Sequence, residues 1–158
     1  METKMDHVKE TTDMTVRKAS VFPAPREEVL SRLQRLETLQ YIAAPYATFV
    51  PVENSSGFIW KTGAVSSYRF RLFGIIPFGV HTIRIERFDA DGIQSRESNP
   101  HVPVWDHLIT LKDMGEQTGY TDEVEIRAGW KTFFIWLWAN AFYAHRQRKW
   151  IKLLKKQS

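Results

Sequence analysis

Cysteine is absent from the 158 residues, which removes disulfides, thiolate metal sites and cysteine nucleophiles together. The opening "METKMDHVKETTDM" has no apolar run, so no signal peptide is expected there and a cytoplasmic location is the default. No glycine-rich phosphate loop, zinc-finger spacing or helix-turn-helix pattern occurs, and nucleic-acid binding is not expected. The longest apolar run of the C-terminal segment, residues 133–144, is interrupted by Asn140 and is too short to span a bilayer. Without repeats or an internal linker, residues 14–158 are expected to form one ligand-binding domain behind a polar, frayed segment, 1–13.

What the chain does have is rings. Aromatic residues make up 13%, with six Trp and ten Phe, enough either for a bulky core or for the lining of an apolar cavity. Charge is unevenly placed. Residues 143–158 hold Arg146, Arg148, Lys149, Lys152, Lys155 and Lys156 with no acid, leaving 16 basic against 18 acidic groups elsewhere. That tail reads as a solvated helix end whose cations complement the helix dipole. Weak contact of residues 146–156 with an anionic membrane is the sharper alternative.

Periodicity sets the element order. "TVRKASVF" (15–22) reads as a strand, and Pro25 suits the first turn of a helix. Val29, Leu33 and Leu36 keep helical spacing, divided over two short helices. From 47 to 128 the period becomes two. "SSYRFRLF" sets Tyr68, Phe70 and Leu72 against Ser67, Arg69 and Arg71, and "HTIRIERF" sets His81, Ile83 and Ile85 against Thr82, Arg84 and Glu86. These are half-buried antiparallel strands. "DADG" suits a three-residue hairpin loop with Gly92 in the left-handed region. After Gly129, 27 residues without Pro or Gly predict one long helix, on which Trp130, Phe134, Trp138, Ala141 and His145 share a face.

"HVPVWDHLITL" (101–111) then decides the site. With "NPHVP" as a five-residue connection, Glu97 opposes Trp105 and Ser95 opposes His107. Trp105, His107, Ile109 and Leu111 point inward and Asp106 outward. In "GYTDEVEIR" the inward set is Tyr120, Asp122, Val124 and Ile126, which brings Asp122 across from His107 or one diagonal away. A metal site at His101, Asp106 and His107 is disfavoured, because alternation sends Asp106 and His107 to opposite faces. No metal or cofactor is expected.

The order strand, two short helices, five or six antiparallel strands and a long helix resembles the START-like, Bet v 1-type superfamily of polyketide cyclase/dehydrase and lipid-transfer proteins. "VFPAPREEVLSRL", "GIIPFGVHTIRIERFD", "VPVWDHLITL", "YTDEVEIRAGW" and "FYAHRQRKW" carry that resemblance. It implies an α+β helix-grip fold: a curved antiparallel sheet of about six to seven strands wrapped around the C-terminal helix. It also implies an interior cavity for a hydrophobic small molecule such as a lipid, isoprenoid or polyketide. Tyr68, Phe70, Ile83, Ile85, Trp105 and Ile109 are expected to line it from the sheet, and Trp130, Phe134 and Trp138 from the helix. His107, Asp122 and Glu97, with His81, would orient a polar end. Two further expectations stand beside carriage: a cyclase/dehydrase in which His107 and Asp122 transfer protons, and lipid delivery at a membrane through the basic helix end.

Overall fold

The computed structural model describes residues 13–53 and 60–156. The first strand, β1 (Met14–Phe22), leads into α1 (Arg26–Leu33) and α2 (Leu36–Ala43). Pro25 caps α1 in an extended conformation, which its fixed φ allows and which sets the helix start one residue later. Six strands follow: β2 (Ala47–Pro51), β3 (Val65–Leu72), β4 (Ile76–Asp89), β5 (Gly92–Asn99), β6 (Val102–Asp113) and β7 (Thr118–Arg127). All seven form one antiparallel sheet in the order β1-β7-β6-β5-β4-β3-β2. A 3-10 turn at Gly129–Lys131 precedes α3 (Thr132–Lys155), which packs on β1, β7 and α2. This is the helix-grip arrangement that the element order predicts. The expected frayed segment lies outside the described residues except for Asp13, whose carboxylate is gripped by Arg127 at 2.5 and 2.7 Å.

Alternation holds along the strands that face α3. On β7 every second residue from Thr118 to Ile126 is buried, and on β6 Trp105, His107, Ile109 and Leu111 are buried. Register agrees where it matters, with Glu97 opposite Trp105 and Ser95 opposite His107. Three details differ from expectation. Asn99 pairs with Val102, so the β5–β6 connection has two residues where five were expected, and a register shift between Glu97 and Asn99 keeps Glu97 opposite Trp105. The β4–β5 loop has two residues, since Asp89 pairs with Gly92, and a bulge near Arg87 restores the inward row. Gly92 has φ +142°, a mirror-extended conformation and not the left-handed helical one, because a Cβ there would stand 1.8 Å from the Ile109 carbonyl oxygen.

The long helix is correctly expected but rotated. Its buried face is Thr132, Ala139, Phe142, Tyr143, Arg146, Gln147, Trp150 and Leu154. Trp130 is 81% exposed and Phe134 62% exposed, so neither can line an interior cavity. Trp138 is half-buried and reaches inward only as far as the rings of Phe70, Trp105 and Phe142.

Candidate functional site

A cavity of about 70 Å³ lies between the inner face of the sheet and the two longer-reaching helices. Thr38, Leu39 and Ile42 of α2 close one side, and Phe142, Tyr143, Arg146 and Trp150 of α3 another. The sheet supplies Phe49 from β2, Phe70 from β3, and His81, Ile83 and Ile85 from β4. Ile93, Ser95 and Glu97 of β5 and Trp105, His107 and Ile109 of β6 complete the wall, with Leu33 and Trp60 at the margin. Of the residues expected to line it, Phe70, His81, Ile83, Ile85, Glu97, Trp105, His107 and Ile109 do. Tyr68 is buried beside the wall, in edge contact with Phe49 and Trp60.

The polar groups converge because four adjacent strands, β4 to β7, present them at inward positions. Glu97 stands at the centre. One carboxylate oxygen accepts from His81 Nε2 at 2.8 Å, and the other accepts from the Ser95 hydroxyl at 2.8 Å and faces His107 Nδ1 at 3.6 Å. His107 Nε2 lies 2.6 Å from Asp122 Oδ1. Asp122 is opposite Ile109 in the ladder, so the His107 contact is the diagonal one. Asp122 is fully buried behind His107, where the Tyr120 hydroxyl donates to it at 3.3 Å and the Gln147 amide at 3.0 Å. Gln147 is itself fixed by the Lys18 carbonyl and the Ser20 hydroxyl.

Burial disfavours the charged form of each of these groups, but the hydrogen bonds prevail. Asp122 is held below the usual carboxylate range by His107, with Arg146 and Gln147 adding to the effect. Glu97 is likewise held low by His107 and His81. His107 is raised above the usual imidazole value by Asp122 and Glu97. The result is a histidine whose charged form is favoured, held between two carboxylates at the floor of an apolar hollow.

Two residues that the sequence reading passed over also face the cavity. Ser95 follows from the same alternation that gives Glu97. Arg146, counted there with the solvated tail, is only 6% exposed. Its guanidinium lies over the rings of Tyr143 and Phe142, 5.1 and 5.5 Å from their centres. Helical phase, with Phe142 and Tyr143 four and three positions earlier, is the signal that would have found it. The two histidines and aspartate that open the 101–111 stretch are separated: His101 stacks on Phe78, and Asp106 is on the outer face of β6.

The geometry has counterparts among solved structures. A START superfamily protein from Mycobacterium smegmatis superposes with a TM-score of 0.69 at 11% identity, covering 91% of this chain and 99% of its own. The ZhuI aromatase/cyclase from Streptomyces sp. R1128 gives 0.59 at 14% identity, covering 90% and 91%. Ara h 8.0201 gives 0.57 at 10% identity, covering 89% and 99%. These likenesses establish the START-like, Bet v 1-type fold. No curated protein matches the chain. Residues 20–154 match the family described as Domain of unknown function (DUF8410), and the chain belongs to that family.

Proposed function

We propose that the protein binds a hydrophobic small molecule in the cavity between the sheet and α3, with the Glu97–His81–His107 cluster facing its polar end. The observation that carries this reading is an apolar hollow with a hydrogen-bonded polar floor in an interior that otherwise packs ring on ring. Cavities left purely by imperfect packing are lined by apolar groups and stay dry. At about 70 Å³ the hollow is smaller than the ~300–1,000 Å³ of pockets for drug-sized ligands. In this closed form it takes a polar head and a few carbons, and a longer ligand must displace side chains at the margin. Native mass spectrometry of the purified protein, followed by solvent extraction, tests the reading. A releasable apolar adduct is expected. A protein that carries none, and that takes up no apolar probe after delipidation, would refute it.

A second reading rests on the 3.6 Å gap between His107 Nδ1 and Glu97. The distance is too long for a firm hydrogen bond, so a substrate oxygen could take that place while Asp122 backs the other ring nitrogen. That is the arrangement of a proton-transferring cyclase or dehydrase. Asp122→Asn should then abolish turnover of a poly-β-keto substrate while leaving binding intact; retained turnover would exclude it.

Membrane delivery draws on a different surface. Trp130 in the 3-10 turn and Phe133, Phe134 and Leu137 on the first half of α3 are exposed, with Arg148, Lys152, Lys155 and Lys156 exposed towards the helix's other end. Co-sedimentation with anionic phospholipid vesicles that fails at high salt, and in a variant with these four cations changed to Glu, is the expected result under this reading. Truncating the tail is not a usable test, since Trp150 and Leu154 belong to the core.

A further inference from the structure

We propose that the polar end recognised in this cavity is a carboxylate, held by Arg146, so that the ligand is an apolar monoacid. The inference rests on the binding role proposed above and adds the chemical class. Its basis is an imbalance among the buried polar groups. The two carboxylates each have hydrogen-bond donors: Glu97 has His81 and Ser95, with His107 3.6 Å away, and Asp122 has His107, Tyr120 and Gln147. Arg146 is not matched in this way. Its Nε is buried without a hydrogen-bond partner, and among the described residues no acceptor bonds to its guanidinium and no carboxylate lies within ion-pair distance.

A guanidinium has five N–H donors and no way to shed its charge. Burying one unpaired is among the costlier things a core can do, and proteins normally pair it or expose it. Here it is kept inside, at the cavity wall, at the start of a run in which Arg148 and Lys152 reach water. The rings of Phe142 and Tyr143 support its plane without using any N–H group. The donors therefore stay available to whatever enters.

Tyr143 adds a second donor. Its hydroxyl oxygen accepts from Trp105 Nε1 at 2.9 Å, and its own proton has no acceptor among the described residues. Among the described residues the cavity thus offers a planar cation and a hydroxyl donor, with Trp150 Nε1 a further donor left without a partner, against a single open acceptor in its wall, the neutral His81 Nδ1. That set fits an anion, and a carboxylate matches the fork of a guanidinium in two parallel hydrogen bonds. One cation and one hydroxyl suit a monoanion. A phosphate monoester would bring a second charge, and the other cationic group of the wall, His107, is already taken up by Asp122 and Glu97.

Two matched pairs of probes test the assignment: decanoic acid with decan-1-ol, and phenylacetic acid with phenylacetamide, measured by calorimetric titration at a pH where both acids are ionised. The acids should bind at least about tenfold tighter than their neutral partners. Arg146→Met should bring that ratio close to one. Its melting temperature reports whether the fold survives the loss of a cation that also steadies the Asp122 carboxylate. Equal affinity for acid and neutral partner in the native protein would overturn the assignment, as would a preference for acids that survives Arg146→Met, and in either case the cavity would remain a binding site. If neither member of either pair binds, the binding role itself falls and the carboxylate assignment with it.

Discussion

His107 stands between two carboxylates, and that placement has a consequence in pH. Burial works against its charged form, yet the hydrogen bond to Asp122 and the nearby Glu97 carboxylate raise its pKa above the usual 6.5. A group with a raised folded pKa contributes stability below its unfolded pKa and loses it as pH climbs through the folded one. Asp122 is the opposite case: it is lowered from 3.8, so its contribution holds above that value and fades only in acid. Stability should therefore be highest in mildly acidic solution and decline as pH rises above the usual imidazole value. In Asp122→Asn the alkaline decline should shrink, because the imidazolium has lost its nearer partner. Thermal melts from pH 5 to 9 measure both, and a flat native profile would mean that His107 is neutral in the folded protein. Replacing His107 by Ala is a harsher change: it strands the Asp122 charge and should cost about 3–5 kcal/mol. These residues were legible beforehand because strand alternation and hairpin counting put Glu97, His107 and Asp122 on one face. Arg146 was not. Grouping charges by neighbourhood in sequence joined it to Arg148 and Lys149, whereas a helix turns about 100° per residue and separates such neighbours.

The helix shows why. In its first half apolar residues occur nearly all round, so Trp130, Phe134 and Trp138 make as convincing a stripe as Ala139, Phe142 and Tyr143. The 3-10 turn at Gly129–Lys131 then changes the phase at which the helix meets the sheet. Only the second half, where Trp150 and Leu154 alternate with Arg148 and Lys152, distinguishes the buried face. Substitution should separate the two stripes plainly. Trp150→Ala, at a fully buried ring stacked near Phe22, should cost about 3–5 kcal/mol. Trp130→Ala should stay within about 0.5 kcal/mol of the native protein in urea denaturation. The β4–β5 turn permits a test of the sheet. Gly92→Ala would push a methyl against the Ile109 carbonyl, and since backbone cannot yield there, a loss of several kcal/mol or failure to fold is expected. The turn's glycine was readable from "DADG"; its two-residue length was not, because the compensating bulge near Arg87 leaves no mark in the hydrophobic pattern.

At the level of the whole molecule, the element order and the single antiparallel sheet follow from the change of period at residue 47 and from the uninterrupted stretch after Gly129. The size of the hollow does not, since it depends on how Phe70, Trp105, Trp138 and Phe142 nest against one another, and nesting has no sequence period. Cavity and stability are consequently linked. Ile85 lines the hollow from β4 and is buried, so Ile85→Ala should enlarge it and destabilise the empty protein by about 2–4 kcal/mol. An apolar ligand that fills the new space binds the folded state alone. At a hundred times its dissociation constant it should return about 2.7 kcal/mol, a rise of roughly 5–10 °C in melting temperature for a chain of this length. The native protein, with less room, should gain less from the same concentration of a bulky neutral probe such as decan-1-ol. Thermal shifts of the two proteins measured side by side check this. If Ile85→Ala gains no more than the native protein, the probe sits outside the hollow, and the polar floor built by Glu97, His81 and His107 has no part in holding it.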